Sequence, residues 1–237
     1  MKPLRVAWLG RVGYAAAAAV QERLRAAIVD GDRDAETLLL LEHDPVITLG
    51  RAADRANVLA SGEALAQRGV ALVDSTRGGD VTYHGPGQLV AYPIVTLDRG
   101  VLAHVERMAQ AVVEVARDHG LRAHFRRACP GVWIGEPPPA DDPTCGGRGK
   151  KLASFGIHVH RRVAIHGVAM NVSTALDAFS LIVPCGLSAA QPTSLAVESG
   201  RPVALADTVE PFAAAFCRAA GRTPQFGAEP AIRSLLS

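Results

Sequence analysis

Residues 152–172 read LASFGIHVHRRVAIHGVAMNV, and this stretch decides the fold class. It contains two largely apolar runs, Leu152–His160 and Val163–Val172, that are separated only by Arg161 and Arg162. So short a connection joins antiparallel strands, because a parallel crossover needs about a dozen residues or more. The stretch therefore predicts a β-hairpin and argues against a regular doubly wound parallel sheet.

The same irregular order of elements continues on both sides of the hairpin. Apolar runs between turn residues predict further strands at Leu4–Leu9, Thr37–Leu41, Val46–Leu49, Ala71–Asp74, Gln88–Val95, Leu121–Arg127 and Gly131–Ile134. Helical spacing of apolar residues predicts helices at Tyr14–Val29, Ser61–Gln67, Ala103–His119 and Asp207–Ala220. Helices scattered among many short strands indicate an α+β fold, a mixed sheet with packed helices.

Composition limits the class of protein. The 237 residues are 49% hydrophobic and 20% charged, which excludes a disordered or fibrous chain. The net charge of +2 is too small for a general nucleic-acid binder, and no apolar run is long enough to span a membrane. We expect a cytoplasmic protein with a single domain over residues 1–237, in which the Pro-, Gly- and Asp-rich segment Glu136–Gly149 is a surface loop.

No metal site is expected from the cysteines and histidines. None of the four cysteines forms a CxxC or CxxH pair, so zinc-ribbon and thioredoxin classes are excluded and disulfides are not expected. His158 and His160 alternate on one strand, but their neighbours Arg161 and Arg162 favour an exposed basic edge over a metal site. By default each cysteine is a small buried apolar residue. The cysteines are Cys129, Cys145, Cys185 and Cys217.

A glycine-rich stretch, RGGDVTYHGPGQ at residues 77–88, is the most unusual segment of the chain. It is neither a Walker loop nor a dinucleotide fingerprint, since the required spacings are absent. A hairpin with two tight turns explains the glycines, but not the Arg, Asp, Thr, Tyr and His side chains among them. We interpret the stretch as a ligand-binding loop whose backbone approaches the ligand closely.

A cysteine and a lysine pair stand out in the second half of the chain. Cys185 lies in LIVPCGL, residues 181–187, where proline and glycine flank the thiol. A reactive cysteine needs a nearby cation to stabilise its thiolate. Only three of the 25 basic residues are lysines, and two of these are the adjacent Lys150 and Lys151. Because strand side chains alternate, only one of the pair would face such a site.

Together these segments resemble the lipoyl(octanoyl) transferase family, the octanoyl-[acyl-carrier-protein]:protein N-octanoyltransferases. The matching segments appear in the family's order at residues 42–50, 77–94, 151–157, 166–172, 184–187 and 193–195. The resemblance implies the fold of biotin- and lipoate-protein ligase catalytic domains. It also implies an acyltransferase in which Cys185 is the nucleophile that carries the acyl thioester and Lys151 is its partner.

The resemblance further implies the reaction and its partners. Octanoyl would pass from octanoyl-acyl carrier protein to the cysteine, and then to a specific lysine of a lipoyl domain. The acceptors would be lipoyl domains of 2-oxoacid dehydrogenase complexes and the glycine cleavage H protein, in the first step of endogenous protein lipoylation. No cofactor, metal, nucleic acid or membrane is implied.

Three segments supply the substrate-binding residues that the resemblance implies. They are Arg77, Gly78, Gly79, Asp80, Val81, Thr82, Tyr83, His84, Ser154, Phe155, Gly156, Gly167, Val168 and Ala169. Two of them depart from the family pattern: Asp80 stands where Gln is expected, and Phe155 is bulkier than the usual aliphatic residue.

Other functions remain open at this level. An ATP-dependent lipoate- or octanoate-protein ligase on the same fold would need no nucleophilic cysteine. A hydrolase would pair Cys185 with His84. A non-catalytic module would bind acyl carrier protein through the arginine pairs at 126–127 and 161–162. Acyl carrier proteins are acidic, so Arg161 and Arg162 are also the first candidates for docking a donor.

Overall fold

Twelve strands and six α-helices alternate irregularly in the computed structural model, which describes residues 1–136, 149–183 and 191–236. The strands are β1 (Lys2–Val12), β2 (Thr37–His43), β3 (Val46–Leu49), β4 (Ala71–Asp74), β5 (Val81–His84), β6 (Gln88–Thr96), β7 (Ala123–Arg126), β8 (Gly131–Ile134), β9 (Lys150–His160), β10 (Val163–Asn171), β11 (Gln191–Pro192) and β12 (Arg222–Gln225). The helices are α1 (Tyr14–Val29), α2 (Gly62–Gln67), α3 (Val101–Asp118), α4 (Leu195–Ser199), α5 (Ala206–Ala219) and α6 (Glu229–Arg233). Most of segment 136–149 lies outside the described residues, so its assignment as a surface loop stays a prediction.

The large sheet is mixed, as the α+β prediction requires. Its strands run in the order β12-β1-β2-β6-β10-β9-β8-β7, and β11 pairs with β9 off this path. β1 is parallel to β12 and β2, and β11 is parallel to β9, whereas the other pairs are antiparallel. The predicted hairpin is present: β9 and β10 pair from His160↔Val163 onward, and Arg161 and Arg162 form the turn with φ of 46° and 67°. Positive φ at both central residues matches the twist of a two-residue hairpin.

Both faces of this sheet are covered. Helices α3 and α5 pack on one face, together with Leu38 and Leu40 of β2. Helix α1 packs on the other face, with Leu39 and Leu41 of the same strand. Burial on two sides explains why β2 is continuously apolar rather than alternating. No helix among the described residues is long and apolar enough to cross a membrane.

A second, three-stranded sheet in the order β4-β3-β5 holds the glycine-rich stretch. Strand β5 lies inside the segment that was expected to be a loop, because flanking glycines hide a run of only four residues. The stretch also approaches its neighbours closely. A Cβ atom on Gly50 would lie 2.2 Å from the carbonyl oxygen of Gly79, and Gly78 N–H donates to the Ile157 carbonyl of β9 at 3.1 Å. These contacts bring the stretch against the β9–β10 hairpin.

Candidate active site

A cavity lies between the glycine-rich stretch and strands β6, β9 and β10. It is lined by Arg77, Gly79, Asp80, Thr82, His84, Val90, Tyr92, Ser154, Phe155, Gly156, His166, Gly167, Val168 and Ala169. All but three of the substrate-binding residues expected from the sequence line this cavity, although they come from separate parts of the chain. The tertiary structure thus brings the three predicted segments together at one place.

The three exceptions follow from strand geometry. On β5, Thr82 and His84 face the cavity, whereas Val81 and Tyr83 point into the core of the small sheet. The Tyr83 ring lies 5.6 Å from the ring of Phe179 there. Such alternation is inherent in a strand, and the prediction of a loop concealed it. Gly78 lines a neighbouring open groove that shares Gly79, Asp80, Phe155 and Gly156 with the cavity.

Arg77 fixes the backbone of the glycine-rich stretch. Its buried guanidinium donates from Nε to Thr48 Oγ1 at 2.9 Å and from Nη2 to the Thr48 carbonyl at 2.6 Å. A third bond runs from Nη1 to the Gly78 carbonyl at 3.1 Å. Gly79 follows with φ of 89°, a conformation that L side chains rarely adopt. Arg77 therefore contributes to the shape of the stretch through fixed, charge-assisted bonds.

One end of the cavity is polar, and of the residues that form it only His84 was expected from the sequence. His84, Tyr92 and His166 line this end, and His43 lies behind them. His43 Nδ1–H donates to the Val12 carbonyl at 2.8 Å, so its Nε2 accepts from the Tyr92 hydroxyl, also at 2.8 Å. His84 was among the expected substrate-binding residues, whereas Tyr92 and His166 were not, because they lie within the largely apolar runs predicted as strands.

Burial keeps these imidazoles neutral. Desolvation lowers the pKa of His43 to about 4 and, reinforced by the Arg77 charge, that of His166 to about 3. It also holds the pKa of His84 well below its ordinary value, and His84 Nδ1–H donates to Gln88 Oε1 at 2.8 Å. Burial raises the pKa of Tyr92 well above its ordinary range. This end of the cavity thus offers uncharged hydrogen-bonding groups.

Lys151 and Lys150 face opposite ways on β9. Lys151 is only 7% exposed and borders two openings beside the cavity, one with Ser154 and Ala169 and the other with Phe155. Lys150 is exposed, and its Nζ donates to Glu198 Oε1 at 2.9 Å. Of the two lysines, only Lys151 lines the openings beside the cavity.

The cysteines divide into two groups. Cys145 and Cys185 lie outside the described residues. Cys129 is disulfide-bonded, so the expectation of no disulfides is wrong at this position. Cys217 is buried in α5, and burial raises the pKa of its thiol to about 11. Cys217 therefore has the inert environment that the sequence analysis assigned by default.

The residues on either side of segment 184–190 are anchored near the cavity. Val183 N–H donates to the Asn57 carbonyl at 2.7 Å, and Thr193 N–H donates to the Lys151 carbonyl at 3.0 Å. Asn57 Nδ2 in turn donates to Asp80 Oδ2 at 2.6 Å. Asp80, one of the two residues that depart from the family pattern, therefore links the cavity wall to the segment that leads to Cys185 along the chain.

The arginine turn lies far from Lys151. Arg161 follows Lys151 by ten residues along β9, which corresponds to ~33 Å at ~3.3 Å per residue. This separation argues against Arg161 and Arg162 as the docking surface for a donor whose acyl group must reach Lys151. Across residues 1–136, 149–183 and 191–236, no group of three His, Cys, Asp or Glu side chains is arranged to hold a metal ion.

Comparison with known proteins defines the class to which this fold and site belong. Residues 13–217 match the family described as Lipoyl protein ligase A/B catalytic domain. Among solved structures, lipoate-protein ligase A bound with ATP superposes with a TM-score of 0.74 at 19% identity, covering 100% of this chain and 93% of that chain. Biotin protein ligase from Aquifex aeolicus in complex with biotin and ATP superposes with a TM-score of 0.51 at 14% identity. That match covers 91% of this chain and 69% of that chain. The predicted fold class is confirmed.

Proteins that are similar in sequence identify a more specific family within this class. The octanoyltransferase of Koribacter versatilis is 42% identical over 87% of this chain and 80% of its own length. The octanoyltransferase of Myxococcus xanthus is 42% identical over 92% of this chain, but the match spans only 59% of that longer protein. The chain belongs to the octanoyltransferase family, and it is an acyltransferase.

Proposed function

We propose that the protein transfers an octanoyl group from octanoyl-acyl carrier protein to a lysine of a lipoyl domain through a thioester on Cys185. The observation that carries the proposal is the position of Lys151, which is buried and borders openings that share residues with the cavity. The relatives are named octanoyltransferases, and from this we infer that the acyl group is octanoyl. The acceptors are lipoyl domains of 2-oxoacid dehydrogenase complexes and the glycine cleavage H protein.

The first half-reaction is a thiol exchange. The Cys185 thiolate attacks the carbonyl carbon of the donor thioester, a new C–S bond forms, and the bond to the carrier sulfur breaks. The Lys151 ammonium stabilises the thiolate before attack and then gives its proton to the departing carrier thiolate, so that the carrier leaves as a thiol and Lys151 becomes neutral. Backbone N–H groups of the glycine-rich stretch are candidates to stabilise the oxyanion.

The second half-reaction is an aminolysis. The amine of the acceptor lysine attacks the Cys185 thioester, and neutral Lys151 accepts the proton that the amine loses. The C–S bond then breaks, which releases the amide and regenerates the thiolate. Splitting the transfer into two steps replaces one high barrier with two lower ones. The substrate-binding residues that line the cavity would hold the acyl chain beside both steps.

An intact-mass measurement tests this proposal. Purified protein is incubated under reducing conditions with octanoyl-acyl carrier protein and no acceptor. We expect an added octanoyl mass that maps to Cys185, is removed by hydroxylamine and is absent in Cys185→Ala. Lys151→Ala should lower both half-reactions by about 100-fold or more, the range for loss of a general base. Lys150→Ala is the matched control and should remain active, since it removes only an exposed ion pair.

The competing function is an ATP-dependent ligase, which the fold similarity to an ATP-bound lipoate-protein ligase favours. Transfer that requires ATP and free octanoate, with no acyl mass on Cys185, would establish that function and refute ours. Release of free octanoate without an acceptor would instead indicate the hydrolase.

A further inference from the structure

Lys151 lies against an indole ring on the neighbouring strand. Trp133 of β8 pairs directly with Lys151 of β9, and Lys151 Nζ is 5.4 Å from the ring centroid. The ring is fully buried, and its Nε1–H donates to the Cys129 carbonyl at 3.2 Å. Arg126 of β7 also lies over this ring, with its guanidinium carbon 4.7 Å from the centroid. The indole therefore has a fixed orientation beside the lysine.

A glycine on the same strand leaves space for the lysine. A Cβ atom on Gly131 would lie 2.6 Å from Lys151 Cε and 3.0 Å from Trp133 Nε1. Gly131 does not have a positive φ, so conformational freedom does not explain glycine at this position. The space above its Cα is filled by the end of the lysine side chain.

We infer that Trp133 and Gly131 are positioning residues that hold the Lys151 amine where the acyl transfer needs it. This inference rests on the proposed function of Lys151. A lysine side chain has four rotatable bonds, and a reacting group displaced by about 1 Å can lose about 100-fold in rate. The indole face attracts the ammonium, and the missing Cβ at Gly131 allows the side chain to lie flat against the ring. The two residues act on the reaction only through Lys151.

Gly131→Ala is the first test, because its added methyl group meets the mobile end of the Lys151 side chain most closely, at 2.6 Å from Cε, whereas the Ala153 carbonyl oxygen and Trp133 Nε1 lie at 3.0 Å. We expect kcat for octanoyl transfer to fall by about 10- to 100-fold while the KM for octanoyl-acyl carrier protein changes less than about twofold. Gly62→Ala is the matched control, because a Cβ there meets no atom within 4 Å. Full kcat in a folded Gly131→Ala protein would overturn the inference.

Two substitutions of Trp133 test the inference independently if Gly131→Ala fails to fold. Trp133→Phe keeps an aromatic face and should retain more of kcat than Trp133→Leu, at comparable thermal stability. Trp8→Leu removes the other, half-buried tryptophan from the same sheet and should leave kcat unchanged. Equal losses in Trp133→Phe and Trp133→Leu would show a structural role only and overturn the inference.

A double-variant cycle separates this inference from the proposed function. In a Lys151→Ala background, Gly131→Ala should change the residual rate of acyl-enzyme formation less than about twofold. A similar loss in both backgrounds would overturn the positioning role. Full activity of the Lys151→Ala protein would refute the proposed function of Lys151. If Lys151→Ala is inactive but Gly131→Ala and Trp133→Leu are fully active, only the positioning role is refuted.

Discussion

Lowering the pH from 7 to 5 should remove much of the stability of this protein, because several buried histidines resist protonation. Burial lowers the pKa of His43 and His104 to about 4 and that of His166 to about 3, from an ordinary value of 6.5. The side chains are almost inaccessible to solvent, so their charged forms would lose hydration. In the unfolded chain the same groups bind protons normally.

The sign and size of the effect follow from proton linkage. Below pH 6.5 the unfolded state binds more protons than the folded state, so the free energy of unfolding decreases as the pH falls toward about 4. At pH 5 each histidine costs about 2 kcal/mol, and the three together cost roughly 6 kcal/mol. A loss of this size is comparable to the total stability of many domains, about 5–15 kcal/mol. Most carboxylates titrate below pH 5, so this interval isolates the histidines.

Urea unfolding at pH 7, 6 and 5 measures the effect. His104 supplies the internal comparison, since it packs against Phe216 at 6.1 Å and does not line the cavity. Its Nε2 is buried without a hydrogen-bond partner in the described part of the chain. His104→Leu should reduce the loss between pH 7 and 5 by about 2 kcal/mol and leave transfer at pH 7 unchanged. A free energy of unfolding that stays constant from pH 7 to 5 would refute this reasoning.

Three further predictions concern the site. Compared with Lys151→Ala, Lys151→Arg restores a positive charge but not a base, so acylation of Cys185 should recover more than transfer to the acceptor. Intact mass should show accumulated acyl-enzyme, and equal recovery of both steps would contradict the assigned roles. Gly79→Val should lose at least about 1–2 kcal/mol in urea unfolding, because φ is 89° there, and an unchanged stability would rule out strain. Asp80→Asn should lower stability by about 1 kcal/mol, because Asn keeps only one acceptor oxygen. The bond from the Asp54 N–H would lose its charge assistance, and the bond donated by Asn57 would be lost or reversed in direction. Unchanged stability in urea unfolding would show that these bonds contribute nothing.

Local patterns in the chain identified most elements of the fold. Tyr14–Val29 is a helix with the predicted bounds, because its apolar spacing and the following glycine act within a few turns of chain. The hairpin at Arg161 and Arg162 was equally predictable, since a two-residue connection permits little else. Strand β5 was not, because four residues between glycines have too little length to show a period.

Some features of the site could likewise be predicted from the sequence, and others could be seen only in the structure. The residue types of the site could be identified from the sequence: the glycine-rich stretch, the rare lysine pair and the segment that contains Cys185. The burial of Lys151 rather than Lys150 beside the cavity could be seen only in the folded structure. It also revealed the polar end formed by His84, Tyr92 and His166, and the contact of Lys151 with Trp133. Such contacts join strands that are distant in the chain. They depend on strand register and burial, and a local sequence pattern contains no information about either.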